Sequence, residues 1–308
     1  MSETVAIFGA SGFVGKNLKS SFLNNTIRYE EISLRDLDWR HKFHSSQANV
    51  VINLVGKAHD HEQLGSKEEY FDVNLGLTQE IFSEFLKSNS DLFIQISSLA
   101  ALEEVEAQIP LVETDGCNPI SWYGLSKRAA EEWILKQKLV EGKKAIILRP
   151  PMIHGPGDKG NLGLLYGLLS KGIPYPLASF ENKRSFLYIN NFCFFIQLII
   201  QNHDKLNTGI YHIADDDSIS TKDIINTIRK VTGKSIPQIS VPKSFIRFIA
   251  KVGDVVPIPL NTKRLKKMTS NLLLSTRKIK DALDITNSMI SAKEGLEMTI
   301  RSFKDKKF

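Results

Sequence analysis

The residues best suited to carry out chemistry are Tyr123 and Lys127, in the segment Tyr123-Gly-Leu-Ser-Lys127, together with the hydroxyl of Ser98. A spacing of four residues on a predicted helix puts Tyr123 and Lys127 on one face, one turn apart. A phenol has a pKa of about 10, and nearby positive charge brings that pKa closer to neutrality. The Lys127 ammonium would act in this direction, as would a cationic group bound beside the phenol. The pattern predicts proton transfer by Tyr123, contact of Lys127 with a bound cofactor, and binding of the reacting oxygen by Ser98.

A glycine-rich turn near the start of the chain, Gly9-Ala-Ser-Gly12-Phe-Val-Gly15, predicts a phosphate-binding site. It follows a predicted strand directly and opens a predicted helix, which is the context that a dinucleotide-binding turn requires. Gly9 permits the tight turn, Gly12 lets the backbone approach a pyrophosphate, and Gly15 allows close packing of helix on strand. The first N–H groups of the helix, at Phe13 and Val14, would then face the phosphates.

The end of the second predicted strand bears on the choice between NAD and NADP. A carboxylate at this position binds the ribose hydroxyls of NAD, whereas an arginine accommodates the 2′-phosphate of NADP. The chain has Ser33 there, with Arg35 just beyond, while Glu30 and Glu31 lie earlier in the strand. We therefore expect NADP(H) to be preferred and NAD(H) to remain an alternative. A solvated surface position for Arg35 is the competing interpretation.

The elements that must position these residues alternate between strand and helix. Short continuous apolar runs bounded by turn residues are typical of strands in a parallel sheet that is buried on both faces. They are Val5–Phe8, Ile27–Leu34, Val50–Val55, Leu92–Ser97, Ala145–Leu148 and Ile210–Ala214, and the helical patterns between them are Val14–Asn24, Lys67–Ser88 and Trp122–Val140. This alternation predicts an α/β fold with a doubly wound parallel sheet.

The sequence pattern changes after Pro150, because glycines and prolines cluster there as they do in turns. Beyond this point two stretches lack the strand–helix alternation. We therefore expect a dinucleotide-binding domain formed by residues 1–155 plus 186–215, and a smaller substrate-binding lobe formed by residues 156–185 plus 216–308.

Composition argues against several other classes of protein. The apolar fraction of 42% and charged fraction of 24% are ordinary for a globular protein, which disfavours a disordered scaffold. The net charge of +6 is dispersed along the chain and no nucleic-acid-binding motif is present. The most apolar run, Phe192–Ile200, is too short to span a membrane, and no signal peptide is evident, so we expect a cytoplasmic protein. Cys117 and Cys193 have no metal-ligand spacing, so no metal site is expected.

Taken together, these motifs resemble those of the extended short-chain dehydrogenase/reductases, in the branch of sugar-nucleotide epimerases, dehydratases and reductases. The resemblance covers nearly the whole chain and rests on GASGFVG (9–15), NLVG (53–56), ISS (96–98), YGLSK (123–127), RPPMIHGPG (149–157) and RSFLYINN (184–191). It implies a Rossmann-type sheet with a smaller C-terminal substrate-binding lobe, hydride transfer at carbon 4 of a nucleotide-activated sugar, and a homodimer packed through a four-helix bundle.

The resemblance also implies roles for individual residues. The catalytic triad is Ser98, Tyr123 and Lys127, of which Ser98 and Tyr123 also contact the substrate. Further cofactor contacts are expected from Asp38 at the adenine, from Leu54 and Gly56 on the adenosine side, and from Pro150. The diphosphate of the substrate is expected to bind Asn161, Leu162, Arg184 and, as a second phosphate ligand, Arg264. Two alternatives remain open: Asn161 as a helix cap and Arg184 as a member of a structural ion pair.

The residues after Ser98 help to select the reaction. Sugar 4,6-dehydratases carry an Asp-Glu pair there, whereas this chain has Leu99-Ala100-Ala101, and Glu103 and Glu104 are expected in a loop. With dehydration disfavoured, the expected activity is 4-keto reduction of a UDP-6-deoxy-amino sugar in surface polysaccharide biosynthesis, in keeping with NADPH. The alternative is a UDP-sugar 4-epimerase with tightly bound NAD. A non-catalytic NADP-binding scaffold ranks third, because both Tyr123 and Lys127 are present.

Overall fold

A six-stranded parallel sheet lies at the centre of the computed structural model, which describes residues 3–58, 65–158, 160–172, 180–234, 241–256, 261–286 and 289–305. Its strand order is β2-β1-β3-β4-β5-β8, and β6 and β7 form a separate parallel pair. The strands are β1 (Thr4–Phe8), β2 (Arg28–Ile32), β3 (Val50–Asn53), β4 (Leu92–Ile96), β5 (Lys144–Arg149), β6 (Met152–His154), β7 (Phe186–Tyr188) and β8 (Gly209–His212). The predicted doubly wound parallel sheet is confirmed.

Helices flank the sheet and continue beyond it. They are α1 (Phe13–Asn24), α2 (Trp39–Ser45), α3 (Lys67–Phe71), α4 (Leu77–Lys87), α5 (Trp122–Leu135), α6 (Asn161–Leu169), α7 (Ile189–Gln201), α8 (Thr221–Thr232), α9 (Lys243–Val252), α10 (Thr262–Thr269), α11 (Arg277–Ala282) and α12 (Ala292–Asp305). The continuous helix predicted over Lys67–Ser88 is wrong in one respect. A π-helical segment, Asp72–Gly76, separates α3 from α4.

Each face of the sheet has its own hydrophobic core. One face packs against α1 and α7, with Leu18, Phe192 and Ile196 fully buried. The other face packs against α2, α4 and α5 and is rich in aromatic rings, including Phe82 and Phe93 at 4.8 Å between centroids. Because both faces are covered, the central strands β1, β3 and β4 are almost entirely apolar, as buried parallel strands must be.

A separate cluster of buried side chains lies outside the sheet. To distinguish it from the two layers that cover the sheet, it is called here the second core. It joins α6, α8, α9, α10 and α12 through Leu162, Ile228, Ile246, Leu265 and Phe303. All of these residues come from the two segments that the sequence assigns to the smaller lobe. The boundaries of that lobe remain a prediction.

The two edges of the sheet carry polar groups. At one edge, β2 exposes Arg28, Glu30 and Glu31. At the other edge, side chains satisfy backbone groups of β8: the Lys278 ammonium donates to the Ile210 carbonyl at 2.6 Å. The His212 N–H donates to the Glu113 carboxylate at 2.8 Å.

The carboxyl ends of β1, β3, β4 and β5 meet at one side of the sheet and position the candidate site. Backbone hydrogen bonds continue past the strand ends, from the Leu54 N–H to the Phe8 carbonyl at 2.9 Å and from the Leu99 N–H to the Pro150 carbonyl at 2.8 Å. Ligands bind at this side of open α/β sheets. Among the described helices, none has the length and apolar character to cross a membrane.

Candidate active site

The glycine turn between β1 and α1 has the geometry of a phosphate cradle. Gly9 has φ +81°, and a Cβ there would lie 2.9 Å from the Leu54 carbonyl carbon. Gly12 is the N-cap of α1 and offers no side chain to the first N–H groups, and no acidic residue lies in the first turn. The N–H groups at Phe13 and Val14 therefore lack a helical partner and can bind an anion. A Cβ on Gly15 would lie 2.6 Å from Ala10, so only glycine lets the helix pack this closely.

The segment that would receive the adenosine end follows β2. The Arg35 N–H donates to the Ser33 hydroxyl at 3.4 Å, and the Arg35 side chain is exposed. Of the neighbouring carboxylates, Asp36 pairs with Lys42 at 2.8 Å, whereas Asp38 lies 3.6 Å from His41. Over the part of the chain that the structure describes, no ion pair involving Arg35 is found.

Asp38 is the residue expected at the adenine. It stands at the N-cap of α2, its side chain makes no capping hydrogen bond, and the side chain is 69% exposed. The carboxylate is therefore open to solvent at the entrance to the adenosine segment. Its contact with adenine remains a prediction.

The three predicted catalytic side chains come together at the carboxyl end of β4. Ser98 caps a short 3₁₀ helix, its hydroxyl accepting from the Ala100 N–H at 3.2 Å, and it also hydrogen-bonds the Tyr123 side chain. Tyr123 is held in the first turn of α5, which Ser121 caps by accepting from the Gly124 N–H at 3.0 Å. The arrangement places two hydroxyl groups side by side, as proton transfer to a bound oxygen requires.

The protein's own environment raises the pKa of the Tyr123 phenol above its ordinary value. Burial is the largest cause and the charge of Glu104 adds to it, while the hydrogen bond from Ser98 acts in the opposite direction. Lys127 is not among the groups that shift this pKa, so the expected lowering by Lys127 is not seen. Its ammonium donates to the Ile96 carbonyl at 3.0 Å. A phenolate at Tyr123 would therefore need positive charge brought by a bound cofactor.

Lys127 is itself enclosed, with only 5% of its surface exposed. Burial lowers its pKa to about 8, while the charge of Glu131 acts the other way. A Cβ on Gly56 would lie 2.9 Å from the Lys127 ammonium nitrogen. The glycine at the end of NLVG thus makes room for the lysine, a second use for a residue that sequence reasoning assigned only to the cofactor.

We expect Lys127→Met to stabilise the chain at pH 7. The folded pKa of about 8 lies below the ordinary 10.5, and each unit is worth about 1.4 kcal/mol, so holding the buried ammonium costs about 3 kcal/mol. Below pH 8 Lys127 is protonated in both the folded and the unfolded chain, so the full destabilisation by the buried ammonium is present. Between pH 8 and 10.5 only the unfolded chain keeps the proton, so the cost falls as pH rises. Urea unfolding measured at increasing pH from 7 to 10.5 should show that the extra free energy of unfolding of Lys127→Met over the wild type becomes smaller.

The exposed Lys136→Met variant is the matched control for that series, because it removes an ammonium from the end of the same helix. A Lys127→Met gain that stays constant across the series, or no gain at pH 7, would contradict the interpretation of Lys127 as a buried charge.

The residues predicted to hold the substrate diphosphate differ from one another in exposure and in their availability to a ligand. Asn161 is the first residue of α6 and is exposed, whereas the N-cap is Gly160, so the alternative of Asn161 as a helix cap is wrong. Leu162 is 2% exposed and packs in the second core, which leaves only its backbone for a ligand. The side chain of Arg264, on α10, lies outside the described residues.

Arg184 lies where several segments of the smaller lobe meet. Its backbone bridges Ile219 and Leu272, and its guanidinium reaches the Ser270 carbonyl at 3.5 Å. Burial lowers its pKa. These contacts link Arg184 to the segment after α10, and its role as a phosphate ligand stays a prediction.

The turn after β6 lies against the glycine cradle of residues 9–15 and against the start of α7. A Cβ on Gly155 would lie 3.6 Å from the Phe13 ring and 2.2 Å from the Ile189 side chain. The open helix end of α1 and the loop leading to Asn161 are therefore neighbours.

Comparison with known proteins agrees with this geometry. The model of the NAD dependent epimerase/dehydratase family matches residues 5–214, the span that contains the glycine turn, Ser98, Tyr123 and Lys127. The chain belongs to this family. UDP-glucose 4-epimerase of Vibrio cholerae is 29% identical over 262 residues, covering 79% of this chain and 80% of that protein. GDP-6-deoxy-D-mannose reductase of Pseudomonas aeruginosa is 30% identical over 174 residues, covering 52% and 55%.

Solved structures show the same fold at low sequence identity. RMD from Pseudomonas aeruginosa, complexed with NADPH, has a TM-score of 0.74 at 16% identity and covers 99% of this chain and 100% of its own. UDP-glucose 4-epimerase of Thermus thermophilus, in complex with NAD, has a TM-score of 0.74 at 16% identity, with 98% and 99% covered. Structural neighbours thus bind either dinucleotide. Residues 9–15 fit such a group, because the open α1 terminus and the absence of side chains leave room for a pyrophosphate.

Two polar clusters in this family member were not found from sequence. The first is centred on Asn74, fully buried in the π-helical segment. Its amide oxygen accepts from the Lys57 N–H at 2.9 Å, and its amide nitrogen donates to the Ser126 hydroxyl at 2.9 Å. Asn74 therefore fixes the loop after β3 against α5, next to Lys127. The sequence feature that could have indicated this cluster is the polar Asn74 on an apolar face of the predicted helix Lys67–Ser88.

The second cluster is a buried ion pair between Glu131 on α5 and Arg149 at the end of β5, both 0% exposed. The guanidinium donates twice to the carboxylate, at 2.8 and 2.6 Å. Burial lowers the pKa of Arg149, but the hydrogen bonds and charge of Glu131 outweigh it and the net shift is upward. The pair joins the catalytic helix to the sheet one turn after Lys127.

Proposed function

We propose that this nucleotide-sugar enzyme is an NADPH-dependent reductase that acts on a 4-keto sugar linked to UDP. The observation that carries the proposal is the ribose end of the cofactor site, where Ser33 and Arg35 follow β2 and no carboxylate occupies the position that would repel a 2′-phosphate. Arg35 is exposed and makes no ion pair in the described parts of the chain, so its guanidinium is available. Consumption of a reductant from solution is typical of a reductase.

The chain's own residues supply the remaining chemistry. When bound, the nicotinamide provides the hydride. Tyr123 donates the proton that becomes the new hydroxyl at carbon 4, and Ser98 hydrogen-bonds the same oxygen and stabilises the charge that develops on it. Lys127, enclosed beside Gly56, positions the ribose.

The surroundings of Ser98 argue against dehydration. Leu99, Ala100 and Ala101 are buried apolar residues where a dehydratase carries its acid–base pair. Glu104 is buried, but its carboxylate accepts from the Ile120 and Ser121 N–H groups at 3.0 and 2.7 Å. It holds the start of α5 and is committed to that contact, which leaves reduction or epimerisation.

The finer substrate assignment rests on the local motifs. The stretch at 149–161 and the short C-terminal lobe resemble those of bacterial enzymes that reduce UDP-linked 4-keto-6-deoxy-amino sugars for surface polysaccharides. We further propose that the protein acts in the cytoplasm as a homodimer, as the same resemblance implies. The measurement is nicotinamide absorbance with a UDP-4-keto-6-deoxy-N-acetylhexosamine and either NADPH or NADH. Stoichiometric oxidation of NADPH with formation of the reduced sugar is the expected result.

A cofactor swap tests the ribose end directly. We expect the double variant Ser33→Asp/Arg35→Ala to weaken NADPH binding by about tenfold to a hundredfold, because it loses a charge-assisted hydrogen bond of about 1.5–3 kcal/mol and gains a repelling carboxylate. NADH binding should hold or improve. Fluorescence titration of both nucleotides gives the ratio of affinities, and Arg28→Ala, at the start of the preceding strand β2, is the control. An equal loss of affinity for NADPH and NADH would show that Ser33 and Arg35 do not recognise the 2′-phosphate.

The second candidate function is a UDP-sugar 4-epimerase that keeps NAD bound. It is favoured by the Vibrio cholerae relative, a UDP-glucose 4-epimerase that matches 79% of this chain. Protein that is purified with tightly bound NAD, interconverts a UDP-hexose with its 4-epimer and oxidises no NADPH would establish this activity and refute the reductase. A non-catalytic scaffold is disfavoured, because Ser98 and Tyr123 are hydrogen-bonded and Lys127 lies enclosed nearby.

A further inference from the structure

Helix α9 exposes large apolar side chains to solvent on one face. Phe245 is 56% exposed and Phe248 is 63% exposed, with Val252 one turn further along. The spacing of three and then four residues aligns all three on a single stripe of the helix. Val255 and Val256, which follow the helix directly, are 87% and 47% exposed. Exposed apolar groups gathered in this way mark an interaction surface more often than chance.

This stripe does not serve the interior of the molecule. Ile246 and Ala250, on the other side of α9, are 3% and 1% exposed and pack in the second core. The helix therefore has one apolar face for the core and another that faces outward. Phe245, Phe248 and Val252 do not belong to the second core.

A basic stripe borders the outward apolar face. Lys243, Arg247 and Lys251 recur every four residues and are all exposed, and α9 contains no acidic residue. The first acidic residue after α9 in the sequence, Asp254, accepts hydrogen bonds from Thr262 at 2.9 and 2.6 Å. Phe245, Phe248, Val252, Val255 and Val256, together with Lys243, Arg247 and Lys251, are called here the α9 surface.

We propose that the α9 surface docks on an anionic phospholipid bilayer. Aromatic and aliphatic side chains flanked by Lys and Arg are the composition with which a surface helix lies in the headgroup region, the rings inserting and the cations meeting lipid phosphates. At 10 residues α9 is far too short to span a bilayer, so the contact is peripheral.

A second copy of the chain is a poorer occupant of this surface. A two-fold contact would place Lys243, Arg247 and Lys251 of one copy close to the same residues of the other, and like charges oppose such an approach. An anionic bilayer complements both the charge and the apolar character. The inference does not depend on which sugar reaction the enzyme performs.

The contact would also orient the enzyme. α9 packs beside α10, and the segment that follows α10 supplies the Ser270 carbonyl that contacts Arg184. The docked face therefore belongs to the same lobe as the predicted phosphate ligand, and this lobe would face the membrane.

The test is flotation of the full chain with vesicles of phosphatidylcholine alone or of phosphatidylcholine with about 30 mol % phosphatidylglycerol, a strongly anionic surface. We expect the wild type to float with anionic vesicles and not with neutral ones. Phe245→Ser/Phe248→Ser should lower the bound fraction at least tenfold, and Lys243→Glu/Arg247→Glu/Lys251→Glu should abolish binding. Leu23→Ser, an exposed apolar residue on α1, is the control and should bind as the wild type does.

Three results would overturn the proposal. They are failure of the wild type to bind anionic vesicles, binding that survives loss of both phenylalanines, and self-association in light scattering that the phenylalanine variant abolishes. Activity on a soluble nucleotide sugar should be unchanged in every α9 variant, because none of these residues lies in the catalytic or cofactor site. Retained activity with lost flotation separates failure of docking from failure of the proposed reaction.

Discussion

Tyr123→Phe is expected to lower turnover by about 10²–10⁴-fold while dinucleotide binding is retained. The variant removes one hydroxyl from a site in which the Ser98 and Tyr123 side chains are hydrogen-bonded. Lys127 keeps its contact with the Ile96 carbonyl at 3.0 Å, and the glycine cradle at residues 9–15 is untouched. The loss should therefore appear in kcat, with the dissociation constant of NADPH changed little.

The measurement pairs steady-state kinetics with fluorescence titration of NADPH. Tyr166→Phe is the matched control, because Tyr166 is a buried tyrosine of the second core that packs on Phe303 at 5.6 Å between ring centroids. It should leave turnover near the wild-type value. Turnover of Tyr123→Phe equal to that of the wild type would refute the role of Tyr123 as the proton donor.

Glu131→Gln is expected to lower the free energy of unfolding by about 3–5 kcal/mol. The substitution leaves the Arg149 guanidinium, which is 0% exposed, without the charge that compensates for its removal from water. Because Glu131 lies on α5 one turn beyond Lys127, turnover should fall as well. Denaturant unfolding and steady-state kinetics of the same preparation measure both effects.

Two further variants separate the pair from its surroundings. Glu132→Gln removes an exposed partner of Arg128 on the same helix, and it should cost at most about 1 kcal/mol. Glu131→Met/Arg149→Met removes both buried charges and should be more stable than Glu131→Gln alone. If the double variant were the less stable of the two, the cost would have to come from lost packing, and the account of an uncompensated charge would be wrong.

Much of the sheet was predictable because buried parallel strands form continuous apolar runs. The bounds of β1, β4 and β5 differ from the expected ones by one residue at each end at most. The predicted strand Val50–Val55 ends earlier, at Asn53, because the Leu54 N–H is the last that bonds to β1 and the chain then turns into the site. The glycine turn was equally clear, since a backbone needing φ +81° selects glycine.

The elements outside the sheet carried weaker signals. The short strands β6 and β7 contain only three residues each, and α2 is seven residues long, too short for a periodic pattern. The π-helical segment is held by tertiary contacts of Asn74, which no local propensity encodes. Helices α8, α9, α10 and α12 pack on one another and on α6, so their arrangement depends on partners distant in sequence.

In the site, sequence reasoning found the groups that do chemistry and missed those that support them. Tyr123, Lys127 and Ser98 follow a recognisable order and spacing. The Glu131–Arg149 pair joins residues 18 apart in sequence, and its charges resemble ordinary surface charges until the burial of both is known. Leu162 was expected at a ligand but lies in the second core, because its position on α6 faces inward.

The polar groups at the two edges of the sheet have a consequence for behaviour at high concentration. An open edge strand can recruit a strand from another molecule and begin ordered aggregation. Here β2 presents Glu30 and Glu31 to an incoming strand, and burying their charges would be costly. At β8 the Ile210 carbonyl and the His212 N–H are already taken by Lys278 and Glu113. Each edge thus rejects intermolecular strand pairing by its own means, so concentrated samples should resist fibril growth that starts from the folded sheet.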